Sequence, residues 1–391
     1  MKKQICLFLT LLMIASLLAG CGNSVADKGT EKESEIHSEI STDTESEKES
    51  ELETEVESES ESESEPEPVI QTVTITAAGD CSLGSLQTHG YASSFHEFYD
   101  KYGEAYFFQN FKEVFEQDDL TLVNLEGVLS NATKRVEKKF NIKGKPEYTG
   151  IMTSSSIEAV SLGNNHTQDY GPESLEDTKQ ALDAAGILYA YNDIISYYTT
   201  DDGIVVAMIS AGFLSDNYDR DKYLFAGIEA AKKQGADLII TSCHWGIEGD
   251  HYPNNYQKNL GHKLIDAGAD VVIGHHPHVP QGIEEYKGKL IIYSLGNFSF
   301  GGNRNPSEKN TFVFQQTFTF IDGVLQIGAE NIEAKIIPAR ISGHNSYNDY
   351  QPKIATGDQA ATIIEKMNEY SKKYSGLSFD EQGNILIKTL E

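Results

Sequence analysis

Cysteine is scarce in this chain of 391 residues, with four in all, at positions 6, 21, 81 and 243. Cys6 and Cys21 sit in the first segment, so the body of the chain holds only Cys81 and Cys243. Two isolated cysteines cannot make the disulfide framework that staples small secreted domains, and both are expected as buried free thiols. Basic residues are also few, 31 Lys and Arg against 60 Asp and Glu, for a formal net charge of −29. Such a chain offers no basic patch to neutralise phosphates, which excludes nucleic acid as a partner. Long apolar runs are missing too. The one near the start, Ile5 to Leu18, falls short of the roughly 18–20 residues that a membrane span needs.

What is present in the first seventy residues bears on location. Lys2 and Lys3 precede the apolar stretch, and Leu18-Ala19-Gly20-Cys21 follows it. A short positive region, an apolar run and small residues read as an export signal. Leu-Ala-Gly-Cys also resembles the lipobox of bacterial lipoproteins. That resemblance implies acylation of Cys21 and an extracytoplasmic protein anchored to the cell membrane by lipid; an ordinary secretory peptide ending in Cys is the alternative. Two acyl chains are what stable anchoring needs. From Gly22 to Pro68 apolar residues nearly vanish, and between Asp27 and Pro68 there are 18 acidic and 3 basic residues. A segment of this kind cannot bury enough apolar surface to offset its ordering entropy, so a disordered acidic linker is expected over 22–68. The expected organisation is a signal with its lipobox cysteine over 1–21, that linker, a domain over 69–345 and an extension with a helix over 346–391.

Within the domain, apolar strands alternate with helical patterns. Val73–Ala78 reads as a buried strand ending at Gly79-Asp80, and Leu120–Leu125 as a second ending at Glu126-Gly127. A third, about Ala159–Leu162, runs into Gly163-Asn164-Asn165-His166. Ala105–Glu116 has helical spacing. Pro172–Ala185 reads as a helix, with Pro in its first turn and Gly186 stopping it. Asp237–Ser242 leads to Cys243-His244-Trp245, the helix Asn254–Ala267 follows, and Asp270–Ile273 leads to Gly274-His275-His276-Pro277-His278. Beyond Ile283 the pattern turns to hairpins, with Asp322-Gly323 as a strong turn. Gln359–Ser375 reads as an amphipathic helix able to cover a sheet edge. The fold class expected is α/β, with two packed sheets flanked by helices.

Asp80, Glu126, Asn165, His166, His244, His276 and His278 all fall just past apolar runs. In α/β sheets the carboxyl ends of strands are where side chains converge on a ligand. Carboxylates mixed with imidazoles suit one or two divalent ions of the Mn, Fe or Zn kind. In His276-Pro277-His278, period two would put both rings on one face of an extended segment. Each position alone is an ordinary turn former or buried histidine; the series in succession points to a metal site.

The series Gly79-Asp80, Asn124-Leu125-Glu126-Gly127, Asn164-Asn165-His166 with Asp169, His244-Trp245-Gly246 with Glu248, Gly274-His275-His276-Pro277-His278 and Tyr293-Ser294-Leu295-Gly296-Asn297-Phe298 resembles that of the CapA-type poly-γ-glutamate capsule synthesis proteins. The likeness runs in order from about Thr72 to about Ile341. It implies a fold similar to the calcineurin-like metallophosphatases, a β-sandwich flanked by helices with a dinuclear centre. It also implies metal ligands at Asp80, Glu126, Asn165, His244, His276 and His278, with His166 as proton donor or oxyanion stabiliser. Asp169 would orient His166, or else cap the helix beyond Gly171. Two departures stand out. Ser82 occupies a position where the metallophosphatase motif has histidine, and the bridging acid is Glu126 in place of aspartate. His275 could compensate only if it escaped the strand alternation that points it away from its neighbour. Trp245 reads as wall or core beside His244, and Asn297 as structural. The resemblance implies a part in synthesis or export of poly-γ-glutamate or a related envelope polymer. The expected substrate is an anionic polymer, a phosphoester or an amide, and capsule-synthesis membrane proteins are the expected partners. A metal-dependent hydrolase and a non-catalytic assembly factor both fit it.

Overall fold

The computed structural model describes residues 66–374 and 376–387. The export signal, Cys21 and all but the last few residues of the acidic segment lie outside the described residues. Among those described, no helix is long and apolar enough to cross a membrane.

Two mixed sheets stack face to face. The larger runs in the order Lys353–Ile354, Glu333–Arg340, Asn310–Ile321, Ile70–Ser82, Leu120–Leu125, Ala159–Ser161, Leu188–Ala190. Its last four strands are parallel, while Asn310–Ile321 pairs antiparallel on both sides. The smaller runs Ile283–Tyr286, Lys289–Ile292, Val271–His275, Leu238–Trp245, Val205–Leu214, Ser196–Thr199, and its inner four strands are parallel. Parallel strands need crossovers, and helices such as Pro172–Ala185, Asp221–Lys233 and Asn255–Ala267 supply them on the outer faces.

Side-chain alternation explains the layering. In Leu238–Trp245, Leu238 and Ile240 join the cluster between the sheets, whereas Ile239, Cys243 and Trp245 join the one beneath helices Asp221–Lys233 and Asn255–Ala267. In Leu120–Leu125, Leu120 and Leu122 face the other sheet while Val123 and Leu125 face Phe107, Phe108, Phe111 and Phe115. Phe312, Phe314, Phe318 and Phe320 fill the space between the sheets, each burial contributing roughly 1.5–3 kcal/mol before entropy is counted. The result is helices, sheet, sheet, helices: the α/β sandwich that the sequence pattern and the resemblance imply. The chemistry sits beyond the apolar filling, at one end.

The helix Gly357–Ser371 buries Ile363, Ile364, Met367 and Tyr370 against the same filling. Its Ser371 Oγ accepts from the amide of Ile283, on the edge strand of the smaller sheet, at 3.0 Å. The helix thus covers a sheet edge. Ala105–Glu116 is less regular than its spacing predicts, with a short 3₁₀ turn at Glu104–Tyr106 and a helix only at Lys112–Glu116. Cys81 and Cys243 are buried and free, on the helix-facing sides of their strands.

Candidate metal centre

Strand period alone would misplace the first acid. In Ile70–Ser82, Ala77 faces the other sheet and Ala78 faces the helices, so Asp80 should also face the helices. The pairing with Leu120–Leu125 slips by one residue between Ala78 and Asp80, leaving Gly79 as a bulge. That slip returns Asp80 to the inter-sheet side and sends Cys81 to the helices. Gly79 is required there, because a Cβ would lie 2.0 Å from the carbonyl oxygen of Gly296. Glu126 leaves the neighbouring strand with its amide donating to the Cys81 carbonyl at 2.9 Å, so the two acids emerge side by side. Asn165 and His166 follow Ala159–Ser161 in a turn fixed by Asn164, whose Oδ1 accepts from the His166 amide at 2.9 Å. From the smaller sheet, His244 continues the inward phase of Leu238 and Ile240.

His276 and His278 reach the same point by a different route from the one the sequence suggests. The strand stops at His275, and His276 and His278 have φ of 98° and 58°. The segment is therefore a turn with left-handed residues, which non-glycine side chains adopt only under tertiary constraint; it is not an extended piece with both rings on one face. His275 keeps the strand alternation, following Val271 and Ile273 to the inter-sheet side level with His244. Its Nδ1 lies 3.4 Å from Asp80 Oδ1, while the His276 amide donates to Asp80 Oδ2 at 3.3 Å.

The donors converge in two sets that share one carboxylate. Glu126, His244 and His276 offer ligand atoms within 4.8 Å of one another, and so do Asp80, Glu126 and His278. His244 Nε2 lies 3.1 Å from His276 Nδ1, 2.9 Å from Asn165 Oδ1 and 3.6 Å from Glu126 Oε1. His278 Nδ1 lies 3.2 Å from Asp80 Oδ2, and its Nε2 3.7 Å from Glu126 Oε1. A third set, Glu248, His276 and His278, adds an exposed carboxylate at the rim. All six residues proposed as ligands are thus gathered at one place. His166 stands beside them, its Nε2 3.8 Å from Glu126 Oε1.

Asp169 is buried and oriented toward His166: its Oδ2 lies 2.8 Å from His166 Nδ1. It does not cap the following helix, whose N-cap is Gly171 with no side-chain bond. An ionised carboxylate only accepts, so the ring carries its proton on Nδ1 and presents Nε2 toward Glu126.

Burial and charge divide these groups. Burial pushes the Asp80 carboxyl up, but the close approach and charges of His275 and His278 outweigh it and hold it well below the usual range. Glu126 has less help: burial, with the charges of Asp80, Asp169 and Glu248 adding to it, outweighs the opposing charge of His278 and pushes it up to about 8. His278 is lowered by burial but raised more by Glu126 and Asp80, to about 10. Burial drives His244 well below its ordinary value, with His276 adding to the effect; burial and His278 bring His276 down to about 3. His166 is lowered by burial against the opposing bond to Asp169. Its Nε2 therefore holds a lone pair near neutral pH, and the ring must take a proton before it can give one.

The residues fit a divalent cation on one observation above all. Glu126 is fully buried, and neither of its carboxylate oxygens has a hydrogen-bond partner. A buried charge left that way costs several kcal/mol, on the order of the penalty for an unpaired ion. A cation between Glu126, the imidazoles and Asp80 removes that cost, and the mixed oxygen and nitrogen donors suit Mn, Fe or Zn.

Four residues at the centre have no assigned role in the strand-end reading. Asn124 Nδ2 donates to Asp80 Oδ1 at 2.8 Å and its Oδ1 accepts from Asn164 Nδ2 at 3.1 Å, tying the first acid to the His166 turn. Asn297 Oδ1 lies 3.0 Å from His278 Nδ1. The half-buried Phe213 sets its ring edge against His276, centroids 4.7 Å apart. Lys138 Nζ donates to the Asn165 carbonyl at 2.9 Å and pairs with Asp169. Register could have found Asn124, which pairs with Asp80 across the sheet. Phe213 ends another parallel strand of the smaller sheet, the same signal as His244 without a polar side chain. Nothing local marks Lys138. Trp245 is core, its indole donating to the Tyr293 carbonyl at 2.9 Å.

Residues 74–302, which contain every residue of this centre, match the family model described as bacterial capsule synthesis protein PGA_cap. Among individual relatives, the PGA biosynthesis protein CapA of Bacillus subtilis (strain 168) is 32% identical over 214 residues, which are 49% of this chain and 56% of that one. The capsule biosynthesis protein CapA of Bacillus anthracis is 29% identical over 255 residues, 59% of this chain and 60% of that one. The chain therefore spans little more than half the length of these relatives. Among solved structures, a phosphatase from Mycoplasma pneumoniae overlaps 72% of this chain and 96% of its own, at 13% identity and a TM-score of 0.45.

Proposed function

Because this chain belongs to the bacterial capsule synthesis protein PGA_cap family, we propose that it acts in the synthesis or export of poly-γ-glutamate or a related envelope polymer, through a metal-dependent hydrolase-type site. Glu126, His244, His276 and Asn165 would hold one ion, and Asp80, Glu126 and His278 a second. A divalent ion there would polarise the bond under attack and lower the pKa of a water toward ~7. Asn124 and Asn297 hold Asp80 and His278 in place. Asp169 keeps the His166 proton on Nδ1, so that Nε2 accepts a proton from the attacking side and returns it to the leaving group. The site's acids and imidazoles lie at the end of the sandwich, with Asn165 and Glu248 exposed at the rim. The observation that carries this reading is the buried, unpartnered Glu126 shared by both donor sets.

A second reading has its own support. Ser82, where the resembled motif has histidine, is buried with its Oγ unpartnered. It offers no imidazole to the Asp80 set, which favours a metal- or polymer-binding assembly factor with little turnover. The Cys21 anchor and the domain limits at 21, 68 and 345 belong to the same proposal, with the protein held at the outer face of the membrane.

Full-length protein loaded with Mn²⁺ would be assayed on phosphomonoester, phosphodiester and γ-glutamyl substrates. On the enzyme reading, one class is hydrolysed and His166→Ala lowers kcat by roughly 10²–10⁴-fold. Metal bound with no hydrolysis of any class would favour the assembly factor. In cell fractions, Cys21→Ser should move the protein off the membrane; unchanged membrane association would rule out that anchor.

A further inference from the structure

The acidic body does contain one concentrated run of positive charge, contrary to the reading from composition, and it lies against the site. Residues 131–145 carry six Lys and Arg and a single Glu, in a chain with a formal net charge of −29. Residues 131–140 form a loop without helix or strand. Its far end is pinned to the segment that orients His166. The Val136 amide donates to the Asp169 carbonyl at 3.0 Å, and the buried Asn141 donates to the same carbonyl at 3.0 Å. The Ile142 amide donates to the Asp169 carboxylate. Lys138 turns inward, its Nζ 3.2 Å from His166 Nδ1 and paired with Asp169.

Lys134, Arg135 and Lys139 behave differently. All three are exposed, and among the described residues no Asp or Glu forms an ion pair with any of them. Lys139 Nζ rests 4.7 Å from the centroid of the Phe140 ring, but in so acidic a protein a cluster of cations that no carboxylate neutralises is not explained by folding. Val136 and Phe140, 37% and 44% exposed, alternate with them. The loop's other flank borders a cleft of about 590 Å³ lined by Lys134 together with Glu173 and Asp177. Those carboxylates oppose an anion inside the cleft, so Lys134 meets one at the cleft's border, and Arg135 and Lys139 carry the rest of the loop's charge.

We propose that this loop is the docking element for an anionic polymer whose carboxylates are regularly spaced along a chain with apolar methylenes. Lys134, Arg135 and Lys139 meet the carboxylates, Val136 and Phe140 meet the methylenes, and Lys138 sets the loop's distance from His166. Salt limits the reach of charge to about 8 Å under physiological conditions, so a docked chain feels these cations more than the net charge of the molecule. The assignment rests on the polymer reading above and names where on the protein the polymer sits.

The test is binding of fluorescently labelled poly-γ-glutamate to the full-length protein, by anisotropy across a NaCl series, with Mn²⁺ and with EDTA. Lys134→Gln/Arg135→Gln/Lys139→Gln, and the same triple to Glu, are compared with wild type after metal content and melting are matched. Binding should weaken roughly tenfold or more for the Gln triple and further for the Glu triple, with a flatter salt dependence, in both metal states. Equal affinity and equal salt slope in wild type and both triples would overturn the loop assignment, leaving the metal-site reading intact if EDTA abolishes binding. No binding by wild type in either state would overturn the polymer reading and this proposal together. Polyphosphate of matched length is a further arm; tighter, loop-dependent binding of it would overturn the carboxylate assignment.

Discussion

The two sheets of the sandwich bring different chemistry to the centre. The larger contributes Asp80, Asn124, Glu126 and Asn165, groups whose ligand atoms are oxygens, with His166 beside them. The smaller contributes His244, His275, His276 and His278. Neither of the two donor sets that share Glu126 comes from one sheet alone, so the apolar contact between the sheets is what assembles them. The two ends of that arrangement differ as well. Between the sheets, Ile240, Ile273 and Phe314 are close-packed and buried. At the carboxyl ends, Glu126 and His275 are buried with side-chain atoms that lack hydrogen-bond partners. The core is stable as built, and the strand ends are arranged for something they must still bind.

Cutting into the core should do the greater damage to folding. Ile240→Ala is expected to cost ~2–5 kcal/mol of stability, as large-to-small core changes do. Below its lowered melting temperature, metal content per chain should be unchanged. Loss of metal in folded Ile240→Ala protein would show that the core and the strand ends are not separable in this way.

A smaller effect should come from pH acting on the strand ends of metal-stripped protein. His276, held at about 3, and His244 contribute stability fully above the unfolded histidine value near 6.5, and lose it as pH falls below that. His278, raised to about 10, contributes fully below 6.5 and loses it as pH rises through 10. Glu126, raised to about 8, likewise loses its contribution between about 4.5 and 8. The site's contribution should therefore peak near pH 6.5. Saturating Mn²⁺ displaces the protons on Glu126 and His278 and should lift the alkaline side selectively. Melting curves with EDTA and with Mn²⁺ from pH 4 to pH 9 would check this; parallel profiles would contradict it.

Much of the centre was legible before any coordinates, and for a physical reason. Parallel strands deliver their carboxyl ends to one side of a sheet, so polar residues after apolar runs could be grouped without knowing the packing. Leu120–Leu125 and Pro172–Ala185 also had unambiguous bounds, the first set by its apolar run, the second by Pro172 and Gly186. Other features depended on contacts that strand period does not encode. The inward turn of Asp80 needs the bulge at Gly79, where the Asp80 amide donates to the Gly296 carbonyl at 2.9 Å, more than two hundred residues away, and only glycine fits. His276 joins the centre beside His275, against strand alternation, because the chain leaves the strand there in a left-handed conformation. Lys138 is remote in sequence from His166, and averaging charge over the chain hid the loop that carries it.

Counting the metal bound by purified full-length protein tests the shared-carboxylate claim most directly. Wild type, Glu126→Ala, Asp80→Ala and His244→Ala would be loaded with Mn²⁺, dialysed and analysed for metal per folded chain. Glu126→Ala should retain essentially none, while Asp80→Ala and His244→Ala should each retain the part held by the other donor set. Wild-type metal content in Glu126→Ala would contradict a centre built around that buried carboxylate.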